Sequence, residues 1–344
     1  MKLGIIGLAG AGKSTVFEAL TRNIQDDAHK KEGRIGTVQV PDSRVDILSG
    51  MYKPKKTIYA QVEYFLPGMP EREKQSGKEQ DQWVKVRDCD ALIHVVKNYE
   101  NFGSDKPDPY KDILALDQEL IIADLMVVEK RLERLRLDKQ RGRNIDQEEL
   151  PLLEECLVML ENETPIRKKS ELAAARPLRG YAFLSAKPVL ILFNNDDEND
   201  LLPETDGNEI NDILMVIRGK LEQELAQMSE EEAAEFLSEF NISVSAMNRV
   251  IEESYRLLGL ISFFTVGEDE VRAWTIKHST AAVDAAEVIH SDIKKGFIRA
   301  EVLAYDDLMD AGTYQEARKK GTVRLEGKTY PVKDGDIINF RFNV

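Results

Sequence analysis

Two cysteines, Cys89 and Cys156, are all that this 344-residue chain contains, too few for a disulfide framework or a four-thiolate zinc site. Two of its four histidines, His278 and His290, show no metal-ligand spacing with a cysteine or another histidine. No apolar run approaches the ~20 residues that span a bilayer. The opening Met1-Lys2-Leu3-Gly4-Ile5-Ile6-Gly7 is too short and too Gly-rich for a secretory core. Positive charge is scarce too: 47 Lys and Arg face 62 Asp and Glu, for a net charge of -15. That balance excludes a generally basic nucleic-acid coat. What remains is a globular, cytoplasmic chain, 42% hydrophobic and 32% charged, with no membrane partner. Its length exceeds one typical core and predicts two or three units.

The charge is unevenly spread. From Phe263 onward there are 12 basic and 14 acidic residues, against 35 and 48 before it. Contact with RNA therefore needs a local patch, and the C-terminal stretch is the favoured place for one.

Leu3-Gly4-Ile5-Ile6 reads as a short buried strand, and Ser14 to Leu20 carries apolar residues at helical spacing. Strand-like runs return at 57–65, 91–96 and 188–193. Strands alternating with helical stretches predict a parallel α/β sheet. From Asp112 the texture changes. Leu116, Leu120, Ala123, Val127, Val128, Leu132 and Leu135 form an apolar stripe broken at Arg141-Gly142-Arg143, and Leu153, Leu157 and Leu160 form a second. The pair predicts an antiparallel helical hairpin inserted between two sheet strands; two ordinary core helices are the alternative. Helices are expected over 222–240 and 247–260. After Phe263 come short β-like pieces at 297–302, 322–325 and 337–342 with one helix near 280–289, a small β-grasp-like module. The resulting division is 1–112 with 182–262 as a nucleotide-binding domain, 113–181 as the hairpin and 263–344 as the C-terminal module.

The strongest motif is Gly7-Leu8-Ala9-Gly10-Ala11-Gly12-Lys13-Ser14, which fits G-x-x-x-x-G-K-[ST] between a strand and a helix. Its glycines let backbone N–H groups converge on an anion at a helix N-terminus, with Thr15 continuing the first turn. Lys13 places a point charge on the β- and γ-phosphates, and the Ser14 hydroxyl is a Mg²⁺ ligand. The motif alone leaves GTPases, ATPases and small-molecule kinases open. Asn194 and Asp197, after the strand at 188–193, hold the outer positions of the Asn-Lys-x-Asp element that reads the base in Ras-like folds, with Asn195 in place of the lysine. By spacing alone, a polar loop explains them equally well. His94, inside an apolar run, reads as structural, and Cys89 and Cys156 as packing residues. The basic stretch 131–143 reads as a solvated helix face or an RNA contact. Lys294, Lys295, Arg299, Arg318, Lys319 and Lys320 form two further basic clusters, with phosphate contact and simple solvation both open.

Several long stretches resemble the YchF group of Obg-like ATPases, within the P-loop GTPase superfamily. They are 257–267 with 271–277, Ile289-His290-Ser291-Asp292-Ile293-Lys294-Lys295-Gly296-Phe297-Ile298-Arg299-Ala300-Glu301-Val302, and 334–344. The hairpin (119–125 and 128–133) and Lys187-Pro188-Val189-Leu190 match as well, and only about 23–81 is weakly similar. The resemblance implies a Ras-like G domain, an inserted coiled-coil hairpin and a C-terminal TGS-type domain. It also implies ATP preferred over GTP, association with the ribosome or rRNA, and a role in translation and stress responses. Asn194 and Asp197 then fall on the base-reading motif, and Arg218-Gly219-Lys220 aligns with the family's Ser-Ala-Lys base loop, making Lys220 a base-side residue. Asp197 in place of the family's glutamate shortens the acidic arm. Ser185-Ala186-Lys187 precedes a strand and reads as a decoy.

Departures from the family bear on the metal. Phe65-Leu66-Pro67-Gly68 keeps the glycine of Asp-x-x-Gly and lacks the aspartate, and Lys30 stands near the switch threonine. Lys30 or Lys31 is expected to neutralise phosphate charge in place of part of the metal's role. The expectation is a monomeric, ribosome-associated binder of ATP or GTP, with Mg²⁺ on Ser14 and hydrolysis weak or lost. Alternatives are an active ATPase with Mg²⁺ ligands at Glu32, Asp42 or Glu63, and a scaffold whose nucleotide never switches it. A P-loop small-molecule kinase fits poorly, because neither the C-terminal module nor the Asn194/Asp197 pair serves an acceptor site.

Overall fold

The computed structural model describes residues 1–22, 33–68, 79–100, 106–144, 146–204, 210–239 and 245–343. In chain order the elements are β1 (Lys2–Ile6), α1 (Lys13–Thr21), β2 (Arg34–Gln39), α2 (Ser43–Tyr52), β3 (Lys56–Ile58) and β4 (Gln61–Leu66). Next come α3 (Glu79–Arg87), β5 (Ala91–Asn98), the long α4 (Pro109–Gln140), α5 (Glu149–Glu161) and the one-turn α6 (Ser170–Ala173). Then follow β6 (Val189–Asn195), β7 (Ile213–Ile217), α7 (Gly219–Leu225), α8 (Glu230–Glu239) and α9 (Ala246–Leu257). The C-terminal part holds β8 (Leu260–Val266), β9 (Glu270–Lys277), α10 (Ala282–Ile289), α11 (Ser291–Lys295) and β10 (Phe297–Ala304). It ends with α12 (Tyr305–Ala311), α13 (Tyr314–Lys320), β11 (Arg324–Glu326) and β12 (Asp336–Phe342). Two compact units result: 1–37 with 63–250, and 38–62 with 251–344.

The first unit is α/β. Its sheet has the order β2-β4-β1-β5-β6-β7, with β4, β1, β5, β6 and β7 parallel. Strands covered on both faces read as unbroken apolar runs, and all seven residues of β6 are buried. One core cluster joins Leu92, Val96, Ile191 and Phe193 to Ile113, Leu116 and Leu120 of α4, so the base of the hairpin belongs to the sheet's own core. Farther out a second cluster takes over, with Val128, Leu132 and Leu135 against Leu153, Cys156 and Leu160 of α5. Each such leucine contributes about 1.5–3 kcal/mol on burial. Arg131 clasps the two helices with a bidentate pair to Glu149, at 2.9 and 2.7 Å, and Tyr181 donates to the same carboxylate.

At the root of the hairpin lies Asp124, fully buried on α4. It accepts from Arg87 (2.9 Å) and from the backbone N–H groups of Leu184 (3.0 Å) and Ser185 (2.7 Å). Lys187 donates to the carbonyls of Arg87 and Cys89. Ser185-Ala186-Lys187 thus ties the re-entering chain to the α3–β5 turn, a structural use consistent with a decoy.

The second unit carries a mixed sheet in the order β11-β10-β12-β8-β9-β3. Phe263, Trp274, Phe297 and Phe340 pack against Ala282, Ala285 and Ala286 of α10, whose small side chains let the helix lie close. Residues 38–62 cluster here because β3 pairs parallel to β9, and because Arg44 of α2 bonds Asp42 and, at 2.7 Å, Asp334.

Two expectations are revised in detail. The run 57–65 is not one strand: β3 and β4 enter different sheets, and between them the carbonyl of Ala60 accepts from Val40. The helix expected over 222–240 is broken at Ser229. There Ser229 and Glu232 form a capping box that starts α8 afresh, Glu232 N–H to Ser229 Oγ at 3.3 Å and Ser229 N–H to Glu232 at 3.0 Å.

Candidate nucleotide site

The buried strand β1 delivers the chain to Gly7, and α1 starts at Lys13 with Gly12 as its N-cap and no side-chain cap. The first-turn N–H groups are therefore left without a side-chain acceptor, the arrangement that receives an anion. Two glycines are sterically required. Gly7 has φ +151°, and a Cβ there would lie 2.3 Å from the Val95 carbonyl oxygen. Gly12 has φ +92°, and a Cβ would meet Asn194 Nδ2 at 2.2 Å. Ala9 and Gly10 are exposed at the tip, Ala11 is buried, and Leu8, Ser14 and Thr15 are half-buried. Tyr99 donates to the Gly10 carbonyl at 2.6 Å.

Lys13 folds back over the loop, donating to the carbonyls of Gly7 (2.7 Å) and Leu8 (2.8 Å). Burial holds its ammonium below the ordinary lysine pKa, opposed by the charge of Glu119. A partly desolvated cation at the mouth of an amide-lined loop is poised for a phosphate.

Asn194, next to last in β6, is 5% exposed and spends its amide in two directions. Nδ2 donates to the Ala11 carbonyl (3.1 Å), and Oδ1 accepts from Gly219 N–H (3.0 Å). It therefore bolts the phosphate loop to the segment that opens α7. Asp197 is exposed; its carboxylate accepts from Leu221 N–H at 3.2 Å and its carbonyl from Arg218 at 3.4 Å. Lys220, between those partners, is exposed at the start of α7. Bonds thus link the loop, Asn194, Asp197 and the α7 start, where Lys220 sits. Asn195, in the family's lysine position, is buried and holds Asn98 and the Leu201 carbonyl, both at 2.8 Å. Below the loop, Glu18 of α1 accepts from Arg34 (2.8 Å) and from Gln223 of α7 (2.6 Å).

The magnesium side is different. Phe65, which the resemblance aligns with the aspartate of Asp-x-x-Gly, is buried in the same sheet-core cluster as Ile6 and Val96. Asp42 caps α2 and pairs with Arg44, and Glu63 pairs with Lys2 at 3.4 Å. Lys30, Lys31 and Glu32 lie outside the described residues. Among the described residues no three His, Cys, Asp or Glu side chains converge on a metal position. Ser14 is one candidate hydroxyl ligand, which suits an ion carried in on nucleotide phosphates rather than one caged by protein.

His94 is fully enclosed, and burial, helped by the charges of Arg167 and Lys13, pushes its pKa down to about 3. It is neutral at any working pH. Sequence reasoning missed the cluster beside it. Arg167 pairs with Asp117 at 2.7 Å and with Asp212 at 3.2 Å, and Lys168 pairs with Asp212 at 2.9 Å. Partners 45 and 50 residues apart leave no local signal. The C-terminal basic clusters are largely neutralised: Lys294 by Asp284 and Glu287, Lys295 by Asp292, Lys319 by Glu316, and Arg318 by Glu301.

Comparison with known proteins places this geometry. A family model described as "50S ribosome-binding GTPase" matches residues 2–131, and the model YchF-GTPase_C, described as "Protein of unknown function (DUF933)", matches 260–343. The chain is 38% identical to the "Ribosome-binding ATPase YchF" of Haemophilus ducreyi, covering 100% of this chain and 99% of the relative. It is 37% identical to the protein of the same name in Bacillus subtilis, over 99% of both. The solved Schizosaccharomyces pombe YchF GTPase superposes with a TM-score of 0.85 at 32% identity, over 99% of this chain and 97% of that one. A GTP-binding protein from Pyrococcus horikoshii OT3, at TM-score 0.61 and 19% identity, shares the fold. With its P-loop, its hairpin rooted in the sheet core and its full-length similarity, the chain belongs to the YchF family.

Proposed function

We propose that this chain is a cytoplasmic, monomeric regulator that binds a purine nucleoside triphosphate, ATP or GTP, associates with the ribosome and hydrolyses its nucleotide slowly or not at all. The observation that carries nucleotide binding is the bolt made by Asn194. It holds the phosphate loop against the opening of α7 without help from a ligand. Loop amides and Lys13 take the phosphates, Asp197 and Lys220 face the base, and Ser14 offers a ligand to an accompanying Mg²⁺. When bound, that ion supplies positive charge to the phosphate oxygens. Ribosome association is supported by the function carried in the relatives' names.

Slow hydrolysis follows from Phe65. Phosphoryl transfer depends on groups fixed in place before the reaction to offset developing charge and aim the attacking water. A buried phenyl ring contributes neither. Calorimetry of the purified chain with ATP and with GTP, with and without Mg²⁺, tests the binding. Affinity for at least one triphosphate that survives chelation of Mg²⁺ is expected, and absence of binding to both would refute the reading. Single-turnover γ-phosphate release tests the chemistry; fast Mg²⁺-dependent turnover would contradict slow hydrolysis.

A further inference from the structure

The outer face of the C-terminal sheet carries an arrangement that the fold does not require. β10 and β12 are antiparallel neighbours, with Arg299 opposite Arg341, Glu301 opposite Asn339 and Leu303 opposite Ile337. Alternation puts these side chains on the face away from Ala300, Val302, Ile338 and Phe340, which pack with α10. At one end of the face Leu303 and Ile337 are buried; at the other Arg299, Asn339 and Arg341 are exposed. Two like charges directly across a strand pair disfavour the sheet. One carboxylate serves the group. Glu301, 6% exposed, accepts from Arg341 at 3.2 and 2.7 Å and pairs with Arg318 of α13 at 3.9 Å. Arg299 forms no ion pair among the described residues. Three guanidiniums against one carboxylate leave an excess of positive charge, in a chain whose net charge is -15. Two apolar side chains border it. Leu325 of the edge strand β11 lies opposite Glu301 and is 50% exposed, and Ile298, at a bulge beside Arg299, is 56% exposed.

We propose that this face, around Arg299 and Arg341, docks an acidic segment of another protein that carries an apolar side chain among its carboxylates. The contact goes beyond nucleotide binding and ribosome association and depends on neither. A carboxylate between Arg299 and Arg341 offsets their repulsion and matches the planar fork of each guanidinium. Glu301 already orders Arg341, so less freedom is lost when the partner arrives. Leu325 and Ile298 favour protein over nucleic acid: an exposed aliphatic side chain gains by meeting another and gains nothing from a phosphate backbone. Asn339 offers a donor and an acceptor to the main chain of an extended segment.

The test uses the full chain and a short fluorescein-labelled peptide of glutamates interrupted by two leucines, read by anisotropy. Binding is expected, weaker as salt rises and weaker again when serines replace the leucines. The comparison is Arg299→Glu. Reversing this charge repels the peptide and lowers its affinity by about tenfold or more. The same change places opposite charges across the strand pair, so the thermal midpoint should hold or rise by about 1–4 °C, with ATP affinity unchanged. A purely structural role for Arg299 predicts the reverse, stability lost together with binding. The proposal is overturned if the unmodified chain ignores the peptide, if Arg299→Glu binds it equally, or if that variant loses stability as well as affinity. Displacement of the peptide by an RNA duplex of equal charge would overturn it too, assigning the face to phosphates. So would self-association of the unmodified chain that Arg299→Glu abolishes, assigning the face to a second copy.

Discussion

Asn194→Ala isolates the bolt between the phosphate loop and α7. The substitution leaves the Ala11 carbonyl and the Gly219 N–H without their side-chain partner in a buried place. Each unpaired buried backbone group costs about 1–3 kcal/mol, so a loss of about 2–6 kcal/mol is expected for the two. Spread over a unit of this size, that lowers its midpoint of thermal unfolding by roughly 5–15 °C. The neighbour supplies the control. Asn195 is equally buried and also makes two hydrogen bonds, but to Asn98 and Leu201 rather than to the loop. Asn195→Ala should therefore cost comparable stability and leave triphosphate affinity within about threefold, since no phosphate-loop group loses a partner. Asn194→Ala should cost at least tenfold in affinity, because the loop must then be ordered by the ligand itself. Calorimetry at a temperature where both variants are folded reads the difference. If both lose affinity equally, the effect is general destabilisation and the bolt has no special role; if neither does, the loop is pre-formed without it.

Gly12→Ala should abolish triphosphate binding and lower stability, because its Cβ would lie 2.2 Å from Asn194 Nδ2 at a φ of +92°; equilibrium dialysis with ATP reads it. The hairpin clasp has a pH signature. Bonding from Arg131, then from Tyr181, holds the Glu149 carboxyl below the ordinary 4.5. Its contribution is complete above that value and disappears as pH falls through the lowered one. Urea unfolding at pH 7 and at a series of pH values below 4.5 should show the cost of Glu149→Gln shrinking as pH falls, and a cost that stays constant across the series would contradict the clasp.

Much of the site could be read from the residues. The P-loop is a contiguous motif whose glycines, lysine and serine act through local backbone geometry, so a short window suffices. The hairpin was legible for the same reason: its leucines recur at helical spacing on both sides of Arg141-Gly142-Arg143. Asn194 was picked out by position, yet its two bonds run to Ala11 and Gly219, 183 and 25 residues away. Nothing local distinguishes a base-reading amide from one that joins two loops. The break at Ser229, by contrast, is written locally in Ser229-x-x-Glu232, a capping box.

The amino-acid sequence by itself determined that a phosphate loop exists and that a parallel α/β sheet carries it. These depend on residue type, period and short-range spacing. Tertiary structure alone decided where charge is left over. Asp284 pairs with Lys294 and Glu301 with Arg341 in the C-terminal module, whereas Lys130, Arg134 and Arg141 of the hairpin make no ion pair among the described residues. Side chains adjacent in sequence say little about this, because an ion pair depends on distance in space, and folding brings partners together from dozens of residues away.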